Sequence, residues 1–156
     1  MVNQAIDYQR DDRLAQEFGE YSGIPRDRIL VDSNYVFSYV GKQLEGANES
    51  SYDKFFFRLG GGELDGAIIP ESFYRYCMDL EYEFADLGAL MGEDQKKSYQ
   101  GRLLEKDGIC NGIYVETLPL MRYLDQEDDD PVILVFFENT EHRERNRAFL
   151  AFATEE

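Results

Sequence analysis

Carboxylates are the side chains of this chain best placed to do chemistry. Asp32 closes the apolar run Ile29–Val31 and is followed by Ser33 and Asn34. A strand that ends on a carboxylate, a hydroxyl and an amide could present oxygen ligands to a divalent cation. Mg²⁺ or Mn²⁺ chemistry would need further acids converging on Asp32 from separate elements, with water and substrate completing the shell. The same residue types also end a strand and cap a helix with no ligand present, and capping is the preferred reading of Asp32 and Ser33. The run Glu127-Asp128-Asp129-Asp130 has no EF-hand spacing, and consecutive acids of this kind repel one another and stay solvated.

Other catalytic chemistries find little support. His142 is the only histidine. It stands beside Arg143, Arg145 and Arg147, and reads as a solvated polar residue rather than the base of a nucleophilic relay. Cys77 and Cys110 have no metal-ligand spacing and read as reduced core residues. The glycines at 60–62 lack the Gly-Lys-Ser/Thr ending of a phosphate loop and suit a hairpin tip.

The elements that must position these residues follow from periodicity. Leu14, Phe18 and Tyr21 predict a helix over 5–21. Residues 28–31 predict a strand, and 34–46 a helix or, by alternation of Tyr35, Phe37 and Tyr39, a strand. Lys54–Leu59 and Ala67–Ile69 predict two strands around the Gly-rich turn. Phe73, Cys77, Leu80, Phe84, Leu87 and Met91 form one apolar stripe, which predicts a long helix from Pro70. Residues 92–112 are polar and Gly-punctuated, with room for one short helix or strand. Residues 116–126 predict a helix with Thr117 as cap and Pro119 in its first turn. Residues 132–139 predict a central strand buried on both faces. Residues 147–153 suit a hairpin partner across the polar 140–145 turn, or 140–152 form one helix capped by Thr140. The whole predicts one α+β domain over 1–156, a mixed sheet of about four to five strands packed by three to four helices.

The stretch Ile29-Leu30-Val31-Asp32-Ser33-Asn34, with an apolar segment after it, resembles the start of PIN-domain nucleases. That resemblance implies an α/β fold with a parallel sheet and a Mg²⁺- or Mn²⁺-dependent ribonuclease. It implies Asp32 as the first metal-binding acid, with Asp79, Glu116 and Glu138 completing the set. Tyr76 stands where the family carries its second acid, so Asp79 is the nearest substitute. Phe137, Glu138 and Asn139 stand where the family has T-x-D.

Composition points elsewhere. The chain of 156 residues carries 32 acids against 16 Lys plus Arg, a formal net charge of −16. Such a surface repels nucleic acid and anionic lipid and attracts basic proteins. With no apolar stretch of signal-peptide or membrane-span length, the sequence reads as cytoplasmic. The leading expectation is therefore a non-enzymatic acidic interaction protein that needs no cofactor. It would bind and inhibit a basic, nucleic-acid-processing partner, as nucleic-acid mimics, immunity proteins and anti-defence proteins do. Its candidate contact residues are Asp79, Glu83 and Asp86 on the long helix, and Asp125, Glu127, Asp128, Asp129 and Asp130 after the next. Two alternatives stand beside it: the PIN-like ribonuclease, and a structural subunit whose acidity confers only solubility.

Overall fold

The computed structural model describes residues 7–33, 39–40, 43–44, 49–125, 130–138 and 140–155. Chain order gives helix α1 (Tyr8–Ser22), a small hairpin of β1 (Tyr39–Val40) and β2 (Gln43–Leu44), α2 (Glu49–Gly60), β3 (Gly66–Pro70) and α3 (Glu71–Asp79). Then come α4 (Glu93–Ser98), β4 (Leu103–Lys106), β5 (Ile109–Tyr114), β6 (Val132–Phe136) and α5 (Arg143–Thr154). Strands β3, β6, β5 and β4 form one sheet in that order, and every ladder in it is antiparallel. The α+β expectation holds. The parallel sheet required by the PIN resemblance is absent from the described residues.

Strand β6 lies between β3 and β5 and is buried along its whole length, as its unbroken apolar character requires. Its side chains alternate between two cores. Val132, Leu134 and Phe136 join Leu14, Phe18, Leu150 and Phe152 of α1 and α5. Ile133, Val135 and Phe137 join Phe55, Phe73 and Cys77 of α2 and α3. Gly112 of β5 lets the strands close up, because a Cβ there would meet Ile133 Cγ2 at 2.9 Å.

Several elements differ from the expectations, each for a local reason. Residues 54–59 belong to helix α2, not a strand, since Tyr52, Phe55, Phe56 and Leu59 recur at 0, 3, 4 and 7 and all turn inward. Residues 29–31 pair with no described strand, and Leu30 is 74% exposed. The helix expected over 34–46 falls mostly outside the described residues, and its described pairs 39–40 and 43–44 form a hairpin. Residues 119–123 make a 3-10 turn preceded by Leu118, so Thr117 caps no helix. Thr140 opens a 3-10 turn that runs into α5.

The long helix from Pro70 stops at Asp79. Tyr82 N–H donates to Cys77 O, and Glu81 N–H to Met78 O, around Glu81 at φ 58°. This is a Schellman stop with Glu81 where glycine is usual. The apolar stripe then divides: Phe84 packs with α3, whereas Leu87 and Met91 reach the opposite core. A straight helix could not serve both faces of the sheet. Ala85 N–H donates to Phe136 O as the chain crosses at the end of β6.

Leu134 pairs with Ile68 on one side and Ile113 on the other and is 1% exposed. Leu134→Ala is therefore expected to cost about 2–5 kcal/mol, measured as a lowered urea midpoint. Alkaline pH should also destabilise the fold. Burial pushes the Cys77 thiol from 9.0 up to about 12. The hydrogen bond with Tyr52 and burial push Tyr76 from 10.0 up to about 12. Between pH 9 and 12 the unfolded chain releases protons that the folded chain keeps. Stability complete below that window is lost as pH rises through it. Denaturant midpoints across the window check this, and Cys77→Ala should flatten its lower half.

Candidate functional site

Two regions concentrate side chains with functional capacity: an acidic segment that crosses the end of the sheet, and a cavity beside β3.

The acidic segment runs from Asp79 to Asp94. It carries Asp79, Glu81, Glu83, Asp86, Glu93 and Asp94, all exposed, and no Lys or Arg lies between Arg75 and Lys96. Buried residues alternate with these acids: Phe84 and Ala85 separate Glu83 from Asp86, and Leu87, Leu90 and Met91 follow. The apolar anchors fix the backbone from which the carboxylates project. Asp86 accepts Gly88 N–H at 2.8 Å and caps the 3-10 turn Leu87–Ala89. Glu81, Glu83, Glu93 and Asp94 form no salt bridge among the described residues. Asp79, Glu83 and Asp86 therefore share one segment, though not one helix face as the apolar stripe suggested. Glu81, Glu93 and Asp94 belong with them. The gap in basic residues between Arg75 and Lys96 is the sequence signal for all six.

The second group of expected contact residues divides differently. Asp125 is exposed and lies 3.6 Å from Arg10. Asp130 turns inward: its carboxylate accepts Ser72 N–H at 3.0 Å and the Ser72 hydroxyl at 2.6 Å, holding the first turn of α3. Glu127, Asp128 and Asp129 lie outside the described residues.

The four acids implied by the PIN resemblance stand at separate places. Asp32 Oδ2 accepts from Lys54 Nζ and Arg58 Nη1, each at 3.0 Å. Glu116 follows Val115, whose N–H donates to Val132 O at one end of β6. Glu138 lies beyond the other end of β6, 3.2 Å from Arg143. Asp79 ends α3. Among the described residues no three Asp, Glu, His or Cys side chains are grouped to hold a metal ion. Ser33 is 1% exposed, and both its N–H and its hydroxyl donate to Asp11. Asp11 is itself buried, with Arg10 on its other oxygen. The residues that Asp32 or Ser33 would cap lie outside the described set. What the described contacts show is a pair of anchors, one reaching α2 and the other α1.

The cavity has a volume of about 250 Å³. Leu14 and Phe18 of α1, Ile68 of β3, Leu134 and Phe136 of β6, and Phe149 of α5 form its apolar floor. Ile29 and Val31 wall it, and Arg28, Arg58, Arg145, Asp32, Glu63 and Asp65 reach its rim. His142 is half-buried and its Nδ1 contacts Asp65, so it is not the freely solvated residue expected.

No protein family, curated protein or solved structure matches this chain. No described helix is long and apolar enough to cross a membrane.

Asp32 is less than one-fifth exposed and shared by two cations. Asp32→Asn keeps its shape but leaves Lys54 and Arg58 without their common carboxylate. The expected loss is about 1–3 kcal/mol, read as a lowered urea midpoint. The exposed control Asp27→Asn should change it by under about 0.5 kcal/mol.

Proposed function

We propose that this chain is a non-enzymatic acidic interaction protein that binds and inhibits a basic, nucleic-acid-processing partner. The observation that carries the reading is the Asp79–Asp94 segment: six exposed acids, no base, and a backbone held by buried Phe84, Leu87, Leu90 and Met91. Carboxylates fixed in this way lose little freedom on meeting a cationic groove. Glu81, Glu83, Glu93 and Asp94 have no salt-bridge partner among the described residues, and such charges steer encounter with a cationic groove and accelerate it. A basic surface built for phosphates is the natural complement, because it already carries the guanidinium and ammonium groups that carboxylates pair with. The Schellman stop at Glu81 supports the reading, since it turns the acids out across the end of the sheet rather than down a helix buried on one side.

The test is capture from lysate followed by competition. Immobilised protein is expected to retain basic nucleic-acid-binding proteins at about 0.05 M salt and release them at about 0.5 M, where the screening length falls from roughly 14 Å to roughly 4 Å. The captured protein should then lose activity on, or affinity for, its own nucleic acid when this chain is added. Neutralising Glu81, Glu83 and Glu93 to Gln and Asp94 to Asn should slow association by at least about tenfold without changing the thermal midpoint. Retention indifferent to salt and to these substitutions would leave the acidity as a solubility device and refute the proposal.

A further inference from the structure

The cavity beside β3 contains a buried polar group that no described residue of the fold engages. Asn146 of α5 lines it and is only 4% exposed, yet its side chain forms no hydrogen bond among the described residues. A buried amide without a partner is costly, and native folds keep such groups for water or a ligand. The other walls do not answer it: the floor is Leu14, Phe18, Ile68, Leu134, Phe136 and Phe149.

Charge at the rim is equally uneven. Asp32 is held by Lys54 and Arg58, Glu63 lies 3.7 Å from Arg58, and Asp65 contacts His142. Every acid on the lining thus has a cationic or histidine neighbour. Arg28 and Arg145 form no ion pair among the described residues, in a chain with twice as many acids as bases. Arg145, Asn146 and Phe149 of α5 all line the cavity, so this helix brings it a guanidinium, an amide and an aromatic ring.

We propose that this cavity is a binding site for a small apolar monocarboxylate. The apolar body occupies the floor, and the carboxylate meets the guanidiniums of Arg145 and Arg28, whose planar forks match its two oxygens. The Asn146 side-chain amide N–H donates to a carboxylate oxygen of the ligand. The volume is that of a metabolite rather than a drug-sized molecule. The rim acids disfavour a dianionic phosphate more than a single negative charge. No residue of the Asp79–Asp94 segment lines the cavity, so this site does not rest on the protein-binding role.

Calorimetry and amide chemical shifts with octanoate and phenylacetate as probes test it. Both acids should bind the intact protein and shift the Asn146 side-chain resonances. Octanamide and phenylacetamide should bind at least about tenfold more weakly, because the charge-assisted bonds are lost. Octyl phosphate should bind more weakly than octanoate. Arg28→Gln with Arg145→Gln changes only exposed side chains and should reproduce the tenfold loss for octanoate. Asn146→Leu should weaken binding while keeping the cavity apolar. The proposal is overturned if neither acid binds at millimolar concentration, if the amides bind as tightly as the acids, if octyl phosphate binds more tightly, or if the double arginine variant binds octanoate unchanged.

Discussion

Everything in this molecule is arranged about the burial of β6 on both of its faces. A strand with Val132, Leu134 and Phe136 on one side and Ile133 and Val135 on the other, continued by Phe137, has no face to offer water. It must sit inside a sheet and be covered twice. An antiparallel sheet more often leaves one face solvated, so the second cover has to come from elsewhere. Here α1 and α5 supply one cover, and α2 and α3 the other. The chain must consequently pass from one side of the sheet to the other. One passage runs through residues 80–91 at the end of β6, and it forces the acidic segment into an irregular path with apolar anchors.

The acids fall into two populations with opposite roles. Asp11, Asp32 and Asp130 point inward or along element junctions, where they accept from Arg10 and Ser33, from Lys54 and Arg58, and from Ser72. Each joins residues far apart in sequence or fixes a helix start, and each is compensated where it stands. Glu81, Glu83, Glu93 and Asp94 have no salt-bridge partner among the described residues and lie outside. Net charge alone cannot separate the groups. A carboxylate at the end of an apolar run, such as Asp32, looks the most chemical in the sequence and proves to be among the most fully occupied by its own chain.

What could be read in advance depended on whether the signal was local. β6 was legible because continuous apolar character has few outcomes. Helix α1 was legible from its stripe, with Gly23 ready to end it at φ 74°. Cys77 and Cys110 were legible as buried free thiols. Helix α2 was misread because three consecutive phenylalanines suit a strand by propensity, although 52, 55, 56 and 59 carry the helical spacing. The β4–β5 hairpin was missed despite its Asp107-Gly108 turn, with φ 54° and 80°, the geometry a two-residue hairpin prefers. The end of α3 was not legible, since Glu81 rather than glycine takes the left-handed position. The cavity was illegible for a different reason: its lining comes from α1, the 28–32 segment, β3, β6 and α5, and only tertiary structure brings them together.

The residues that looked like an active-site edge bear on the cavity after all, by a mechanical route. Ile29 and Val31 form one wall, and that wall lies in a segment with no ladder to any described strand. Among the described residues, side chains hold it. Ser33 binds Asp11 on α1, and Asp32 binds Lys54 and Arg58 on α2. The two contacts, on adjacent residues, clamp the segment between helices on opposite faces of the sheet. Arg58 also reaches the rim, so the Asp32 pair links the wall to the charge balance at the mouth. Weakening either contact would loosen the wall before it disturbed β6, because the two cores do not depend on residues 29–33 for their centre. The sequence Asp-Ser at 32–33 therefore sets the shape of the cavity without supplying its chemistry, and Arg28, Arg145 and Asn146 supply the polar groups that a ligand would meet.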